Sequence, residues 1–153
     1  MRRAIISIAT LVTILFGVMQ APPANAGDRY ARRLLAIVNA ARERHDLRPV
    51  RLERSLDAPA RRHSSRMLRA NRLFDPPNLE QILAPYRWND VGADVVGCGS
   101  TLREMQRTLM SDAFHRTILL NEHVRRIGIG VVETRDRNRC GRGSVWATEI
   151  LYG

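Results

Sequence analysis

The sequence lacks the short motifs by which common hydrolases are recognised. It has no Gly-x-Ser-x-Gly turn to present a serine nucleophile and no His-Glu-x-x-His helix to bind zinc. It also has no Cys-x-x-Cys pair, which would indicate redox or zinc chemistry. These absences remove the best-known routes to hydrolysis and disfavour an enzyme.

Cysteine is scarce, since Cys98 and Cys140 are the only two in the chain. In an oxidising compartment, two cysteines within one small domain most simply form a disulfide. Two free thiols are the alternative, and Cys98 would then be a candidate nucleophile near His115. A disulfide would remove the thiolate on which that reaction depends.

Long apolar runs are absent except at the N-terminus. There, Arg2 and Arg3 precede an apolar run of 16 residues, 4–19, and the small residues Ala24 and Ala26 follow. This order predicts a secretory signal peptide, residues 1–26, because the run is shorter than the roughly 18 to 20 residues that span a bilayer. An uncleaved membrane anchor is the alternative. We expect one mature domain, residues 27–153, that is secreted or associated with the cell envelope.

Lysine is absent, and all 25 basic residues are arginine. The predicted mature domain has 23 arginines and 15 acidic residues, a formal charge of +8. Such a charge favours attraction to polyanions. Export argues against nucleic acid and indicates a lipid or an anionic envelope polymer as partner. Solubility alone is the alternative explanation of the charge.

Aromatic residues make up only 5% of the chain. Trp88 and Trp146 are predicted to be core anchors rather than platforms that stack on sugars. The glycines of "GADVVGCGS", residues 92–100, are predicted to form turns around an irregular stretch, although a loop that surrounds a ligand is the alternative.

Apolar periodicity predicts helices over residues 28–45 and 55–71, with Ser55 as a cap, a short helical turn over 78–83, and a third helix from Thr101. Thr101 to Glu104 matches a capping box, and a short helical segment follows through His115. Residues 126–134 and 144–152 alternate as two strands joined by a polar connection. The pattern predicts an α+β domain in which helices pack on an antiparallel sheet.

Four segments in this order resemble the CAP family (cysteine-rich secretory proteins, antigen 5 and pathogenesis-related 1), in its bacterial secreted branch. They are "LLAIVNAARERHDLRPVRLERSLDAPARRHSSRM", "WNDVGADVVGCGS", "LMSDAFHRTILLNEHVRRIGIGV" and "SVWATEILYG". The resemblance covers residues 34–153. It implies an α-β-α sandwich with the helices packed on a small antiparallel sheet, and a monomer.

Metal-binding members of that family use two histidines and two acids that converge in a cleft. By resemblance, His115 matches the second histidine and Asp112 lies near one acid position. Asp75 follows Phe74 where the first histidine is expected, and Asp94 follows the other acid position, which holds alanine here. The cleft candidates are therefore His115, Asp112, Asp75 and Asp94.

Asp112 and His115 are three residues apart and would share one face of a helical turn. With Asp75 they could form a site for Zn or another divalent cation. Alternatively, Asp112 caps a helix and accepts a backbone N–H. His63 lies on the apolar stripe of the second helix and is predicted to be a core residue.

We therefore expect an exported, non-catalytic protein without a cofactor, which binds a lipid or an envelope component in its cleft or on its basic surface. The alternative is a metal-dependent envelope hydrolase that uses His115, Asp112 and Asp75.

Overall fold

The structure, a computed structural model, describes residues 26–88 and 90–153. The predicted signal peptide lies outside this part of the chain, apart from Ala26. Within the described residues there are five helices and four strands, in the following order: α1 (Ala26–Glu43), β1 (Arg51–Leu52), α2 (Arg54–Ala70), α3 (Leu79–Leu83), β2 (Gly92–Gly99), α4 (Leu102–Ser111), α5 (Ala113–Leu119), β3 (Arg126–Asn138) and β4 (Gly141–Tyr152).

The four strands form one sheet in the order β1-β3-β4-β2. β3 and β4 make the predicted antiparallel hairpin, β2 pairs with β4 antiparallel, and β1 adds a short parallel pair with β3. The sheet is therefore mixed rather than purely antiparallel. The parallel strand was not predicted because two residues are too few to show a period.

Helices cover both faces of the sheet, and the side chains of β3 separate the two layers. Ile127, Ile129 and Val131 point into the cluster formed with α1 and α4. The intervening Gly128 and Gly130 face α2, where an added Cβ would lie 2.1 Å from the Cβ of Leu56 and 1.9 Å from the nitrogen of Arg61, respectively. Because successive strand residues face opposite sides, α1 and α4 lie on one face and α2 on the other. This arrangement confirms the predicted α+β sandwich.

The core has one large cluster and two smaller ones. The large cluster lies between the sheet and helices α1, α4 and α5, and the smaller ones lie under α2 and α3. Trp146 is fully buried, as predicted. Trp88 is 37% exposed, so its prediction as a core anchor was wrong. It lies instead over Gly92, on which a Cβ would approach the indole ring to 3.0 Å.

The segment 92–99 is a strand, so the predicted irregular stretch and its glycine turns were wrong. Gly97 and Gly99 serve a different purpose, because α4 packs closely against them. A Cβ on Gly97 would lie 3.0 Å from Cγ of Met105, and one on Gly99 would lie 3.3 Å from the backbone nitrogen of the same residue. Glycine is used here for close packing rather than for a turn.

The ends of the helices follow the sequence in part. Thr101 caps α4 and accepts a hydrogen bond from the N–H of Glu104 at 3.1 Å, as predicted. The cap of α2 is Glu53 rather than Ser55, and the Ser55 hydroxyl donates to the Glu53 carboxylate.

The predicted disulfide between Cys98 and Cys140 is present, and it joins the end of β2 to the β3–β4 turn. Among the described helices, none has the length and apolar character needed to span a membrane.

Candidate functional site: a groove with arginines on its rim

A groove of about 1300 Å³ runs between α1, α4 and the β3–β4 hairpin. Helical spacing decides which side chains line each wall, because residues three, four and seven apart share one helix face. On α1 that face carries Arg33, Ile37 and Ala40, and Arg44 follows directly after the helix. The facing side of α4 and the β4 end complete the apolar floor with Leu102, Met110 and Val145. The groove is therefore apolar at its base and open to solvent.

Five arginines line the groove, namely Arg33, Arg44, Arg103, Arg107 and Arg135. Each is exposed at the rim. Among the described lining residues, the one carboxylate is Glu133, which accepts a hydrogen bond from the hydroxyl of Tyr30. This bond raises the pKa of Tyr30. The rim thus has a strong excess of positive charge.

Gln106 lines the groove with a side chain that is only 2% exposed. Neither its amide oxygen nor its amide nitrogen has a hydrogen-bond partner in the described part of the protein. A buried amide without a partner costs on the order of 1 to 3 kcal/mol. A ligand that brings both a donor and an acceptor, or an acceptor alone, would recover part of that cost. Gln106 therefore marks a place for a polar group at the base of the groove.

Sequence analysis did not identify this groove. Its residues come from three separate segments, 30–44, 100–110 and 133–145, and each of its arginines is indistinguishable in sequence from the others. The one available signal was the polar Gln106 on the apolar face of α4, among Leu102, Met105 and Leu109.

The four predicted cleft residues lie elsewhere, and none of them lines the groove. Asp112 caps α5 and accepts a hydrogen bond from the N–H of His115 at 3.0 Å. That bond is the main cause of the lowered pKa of Asp112. Nδ1 of His115 lies 2.8 Å from the same carboxylate oxygen but makes no hydrogen bond of acceptable geometry. Asp112 thus has the geometry of a helix cap.

The other two predicted cleft residues, Asp75 and Asp94, form a pair of acids. Burial, followed by the nearby charge of Asp75, raises the pKa of Asp94 to about 7. One oxygen of Asp94 is buried without a hydrogen-bond partner among the described residues. Asp94 faces the α2 side of the sheet, because it pairs with Ile150 across β2 and β4. The two acids are close enough to repel each other, which opposes ionisation of the buried one.

These residues do not fit the metal site that the resemblance implies. In residues 26–88 and 90–153, no group of three or more histidine, cysteine or acidic side chains is placed to hold a metal ion. One histidine and one acid meet at the start of α5, and the other acids meet beside β2 on the α2 face of the sheet. The structure gives no support to the three-ligand site of His115, Asp112 and Asp75.

His63, on the buried side of α2, has no exposed surface, which confirms its prediction as a core residue. Its Nε2 lies 2.7 Å from the carbonyl oxygen of Phe74, and its Nδ1 lies 3.1 Å from a guanidinium nitrogen of Arg66. With Nε2–H donating and Nδ1 accepting, both ring nitrogens are used. Burial lowers the pKa of His63, which favours this neutral form.

The sequence matches the family model described as CAP, cysteine-rich secretory protein family, over residues 35–149. No curated protein matches the sequence with significant similarity. Solved structures of the same fold do match, at identities low enough that they establish the fold alone.

Three of these structures come from bacteria. An extracellular protein containing an SCP domain from Bacillus anthracis matches with a TM-score of 0.65 and 16% identity, over 87% of this chain and 45% of the other. A cysteine-rich secretory protein from Staphylococcus aureus matches with a TM-score of 0.64 and 17% identity, over 88% and 42%. An outer surface protein from Borrelia burgdorferi matches with a TM-score of 0.59 and 11% identity, over 80% and 92%. The chain spans less than half the length of the first two proteins.

Proposed function

Because this chain belongs to the cysteine-rich secretory protein (CAP) family, we propose that it is an exported, non-catalytic binding protein that holds an anionic amphiphile. The ligand would lie in the groove between α1 and α4. The observation that supports this proposal most strongly is the combination, in one cavity, of an apolar floor, a rim of arginines and a buried amide without a partner.

The size and lining of the groove suit a lipid. Ligand sites typically have volumes of about 300 to 1,000 Å³ and mostly apolar walls with a few polar groups. The groove here, about 1300 Å³, has room for an acyl chain. Ile37, Leu102 and Met110 supply the apolar surface, on which burial contributes roughly 25 cal/mol per Å².

The charge of the rim selects the headgroup. Arg103 and Arg107 are four residues apart on α4, so their guanidinium groups project from one face of the helix. Arg33 of α1 and Arg44, just after the end of that helix, line the other side of the groove. Arginine binds phosphate and carboxylate through paired N–H donors. An anionic headgroup at the rim, with its chain on the floor, would satisfy both kinds of surface.

Catalysis has less support than binding. Among the described residues that line the groove there is no histidine or cysteine, and the Glu133 carboxylate already accepts a bond from Tyr30. At α5, the Asp112 carboxylate acts as a cap. The metal-dependent hydrolase is therefore the weaker hypothesis.

The test is binding of two amphiphiles that share one fluorescent acyl chain, lysophosphatidic acid and the uncharged monoacylglycerol. We expect the protein to bind the anionic probe more tightly. The double variant Arg103→Gln/Arg107→Gln should weaken that probe by about 10-fold or more, since a charge-assisted hydrogen bond contributes about 1.5 to 3 kcal/mol. Binding of the neutral probe should change little.

Blocking the groove provides the second arm. Ala40 is exposed on the α1 wall, so Ala40→Trp should fill the groove without disturbing the core. Ala70 is equally exposed at the end of α2, outside the groove, and Ala70→Trp is the matched control. Loss of both probes in Ala40→Trp alone supports the proposal. Equal binding by both variants would contradict it.

A further inference from the structure

Most of α2 and the residues that follow it carry a run of positive charge. Residues 58–74, "APARRHSSRMLRANRLF", contain five arginines and no acidic residue. Three of them, Arg62, Arg66 and Arg69, line a concave site of about 390 Å³ between α2 and α3. The other lining residues are Pro59, Ser65, Asn78 and Ile82. None of these residues is acidic.

The three arginines form one stripe, because positions four and seven residues apart lie on the same side of a helix. The stripe is about 10 Å long at 1.5 Å per residue. Across residues 26–88 and 90–153, the ion pairs involve none of the three. No carboxylate of the described residues therefore lies within ion-pair distance of the three guanidinium groups.

The Arg66 side chain is held in place by the buried His63 of the same helix. One of its guanidinium nitrogens lies 3.1 Å from Nδ1 of the buried His63, whose other nitrogen is bonded to the carbonyl of Phe74. This bond uses one of the five N–H donors of the guanidinium. The other four have no hydrogen-bond partner in the described part of the chain, and the Arg66 side chain is exposed. An arginine fixed in this way loses less side-chain entropy when it binds an anion.

We propose that Arg62, Arg66 and Arg69 bind the phosphate groups of a linear polyanion that lies along α2. Phosphate suits the site better than the carboxylates of an acidic polypeptide, because the phosphates of a linear polyanion are part of its backbone and follow one another closely, and the paired N–H donors of arginine match their oxygens. The α2 site lies on the opposite face of the sheet from the groove. It therefore adds a second ligand to the proposed function and does not depend on it.

A polymer fits the surroundings better than a membrane. Among the described residues, the large exposed apolar side chains are Trp88 and Phe114, and neither lines the α2 site. Ile82 is the one large apolar residue in the lining, and it is half-buried. The site therefore offers charge without an apolar anchor that would enter a bilayer.

The experiment is isothermal titration calorimetry of the purified protein with linear inorganic polyphosphate at 0.05 and 0.15 M salt. We expect binding that weakens with salt, and a loss of about 10-fold or more in the triple variant Arg62→Gln/Arg66→Gln/Arg69→Gln. The matched control, Arg137→Gln/Arg139→Gln/Arg142→Gln, removes the same charge from exposed positions on the hairpin. It should lose less than about 2-fold.

Several results would overturn the proposal. One is equal loss in the two triple variants, which would mean that net charge alone attracts the polymer. Another is equal binding of polyglutamate of matched length, which would remove the preference for phosphate. A third is preferential binding to vesicles of anionic phospholipid, which would make a membrane the partner. A negative result for amphiphile binding in the groove would not affect this test, because Ala40→Trp should bind polyphosphate like the wild type.

Discussion

Glu149 places a carboxyl group inside the apolar layer between the sheet and helices α1 and α4. It is fully buried on the central strand β4, beside Val95 of β2 and Ile129 of β3. Neither of its oxygens has a hydrogen-bond partner among the described residues. Burial raises the pKa of Glu149 to about 8, so the group is mostly protonated at neutral pH. An ionised carboxylate in this position would be strongly unfavourable.

This burial predicts a dependence of stability on pH. As the pH rises from the unfolded pKa of 4.5 to the folded pKa of about 8, the unfolded chain loses a proton that the folded chain keeps. The contribution to the free energy of unfolding then falls by up to about 1.4 kcal/mol per pH unit. Glu149→Gln removes this contribution, so its stability relative to wild type should rise through the window and level off above it. Urea unfolding at a series of pH values measures the difference.

Asp94→Asn is the comparison. Its free energy of unfolding, relative to that of the wild type, should rise from pH 3.8 and level off near pH 7. For Glu149→Gln the levelling occurs about one pH unit later. A stability difference for Glu149→Gln that stays constant from pH 4 to 9 would show that the carboxyl group is not the cause.

For single residues, local sequence patterns predict roles such as core residue or helix cap better than they predict tertiary contacts. The apolar stripe of α2 was enough to place His63 in the core, and the spacing of Asp112 before α5 was enough to suggest a cap. Ser55 was wrong as a cap because the helix already begins at Arg54, with Glu53 in the N-cap position. The prediction for Trp88 was wrong because its ring lies over Gly92 and stays 37% exposed, a tertiary placement that no local pattern reveals.

At the scale of elements, helix α2 crosses strand β3 at two glycines. A Cβ on Gly130 would lie 1.9 Å from the backbone nitrogen of Arg61 and 2.2 Å from the carbonyl carbon of Ala60. Ser64, one turn further along α2, bonds the Gly130 carbonyl at 2.8 Å. The helix and the strand are thus in backbone contact, and only glycine leaves room for it.

Gly130→Ala should therefore be strongly destabilising, because the helix backbone must move away from the strand. We expect a loss of about 3 kcal/mol or more in chemical denaturation, at the upper end of overpacking effects. Gly97→Ala is the control, since its Cβ would meet the flexible side chain of Met105 at 3.0 Å. That variant should lose about 1 kcal/mol. Equal losses would contradict the proposed backbone contact.

The long periodic elements were predicted well. Helices α1, α2 and α4 and the β3–β4 hairpin have strong periods, and their bounds shift by only a few residues. Strand β2 was missed because its glycines resemble a turn. Gly97 and Gly99 leave room for α4, which packs against them, and this cause lies in tertiary structure.

At the scale of the whole molecule, the two helical layers have different surfaces. One side carries the groove with its apolar floor, and the other carries the arginine stripe of α2. The sequence predicted a basic surface but not that its arginines gather in two clusters, one at the groove and one on α2. Such a division depends on which helices cover which face of the sheet.

The disulfide holds the hairpin onto this framework. Cys98 and Cys140 are 42 positions apart in sequence, and the bond joins the end of β2 to the β3–β4 turn. The double variant Cys98→Ala/Cys140→Ala should lower the free energy of unfolding by about 3 to 4 kcal/mol, as expected for a loop of this length. Urea denaturation of the variant, and of reduced wild type, should agree. An unchanged midpoint in both would mean that the hairpin is held by packing alone.

The central claim is that an anionic amphiphile lies between α1 and α4. The most direct measurement is photo-crosslinking of a lysophosphatidic acid that carries a diazirine on its acyl chain, followed by mass spectrometry of the peptides. We expect crosslinks at Ile37, Leu102 and Met110 that are lost in Ala40→Trp. Crosslinks concentrated on α2, or around Asp112 and His115, would contradict it.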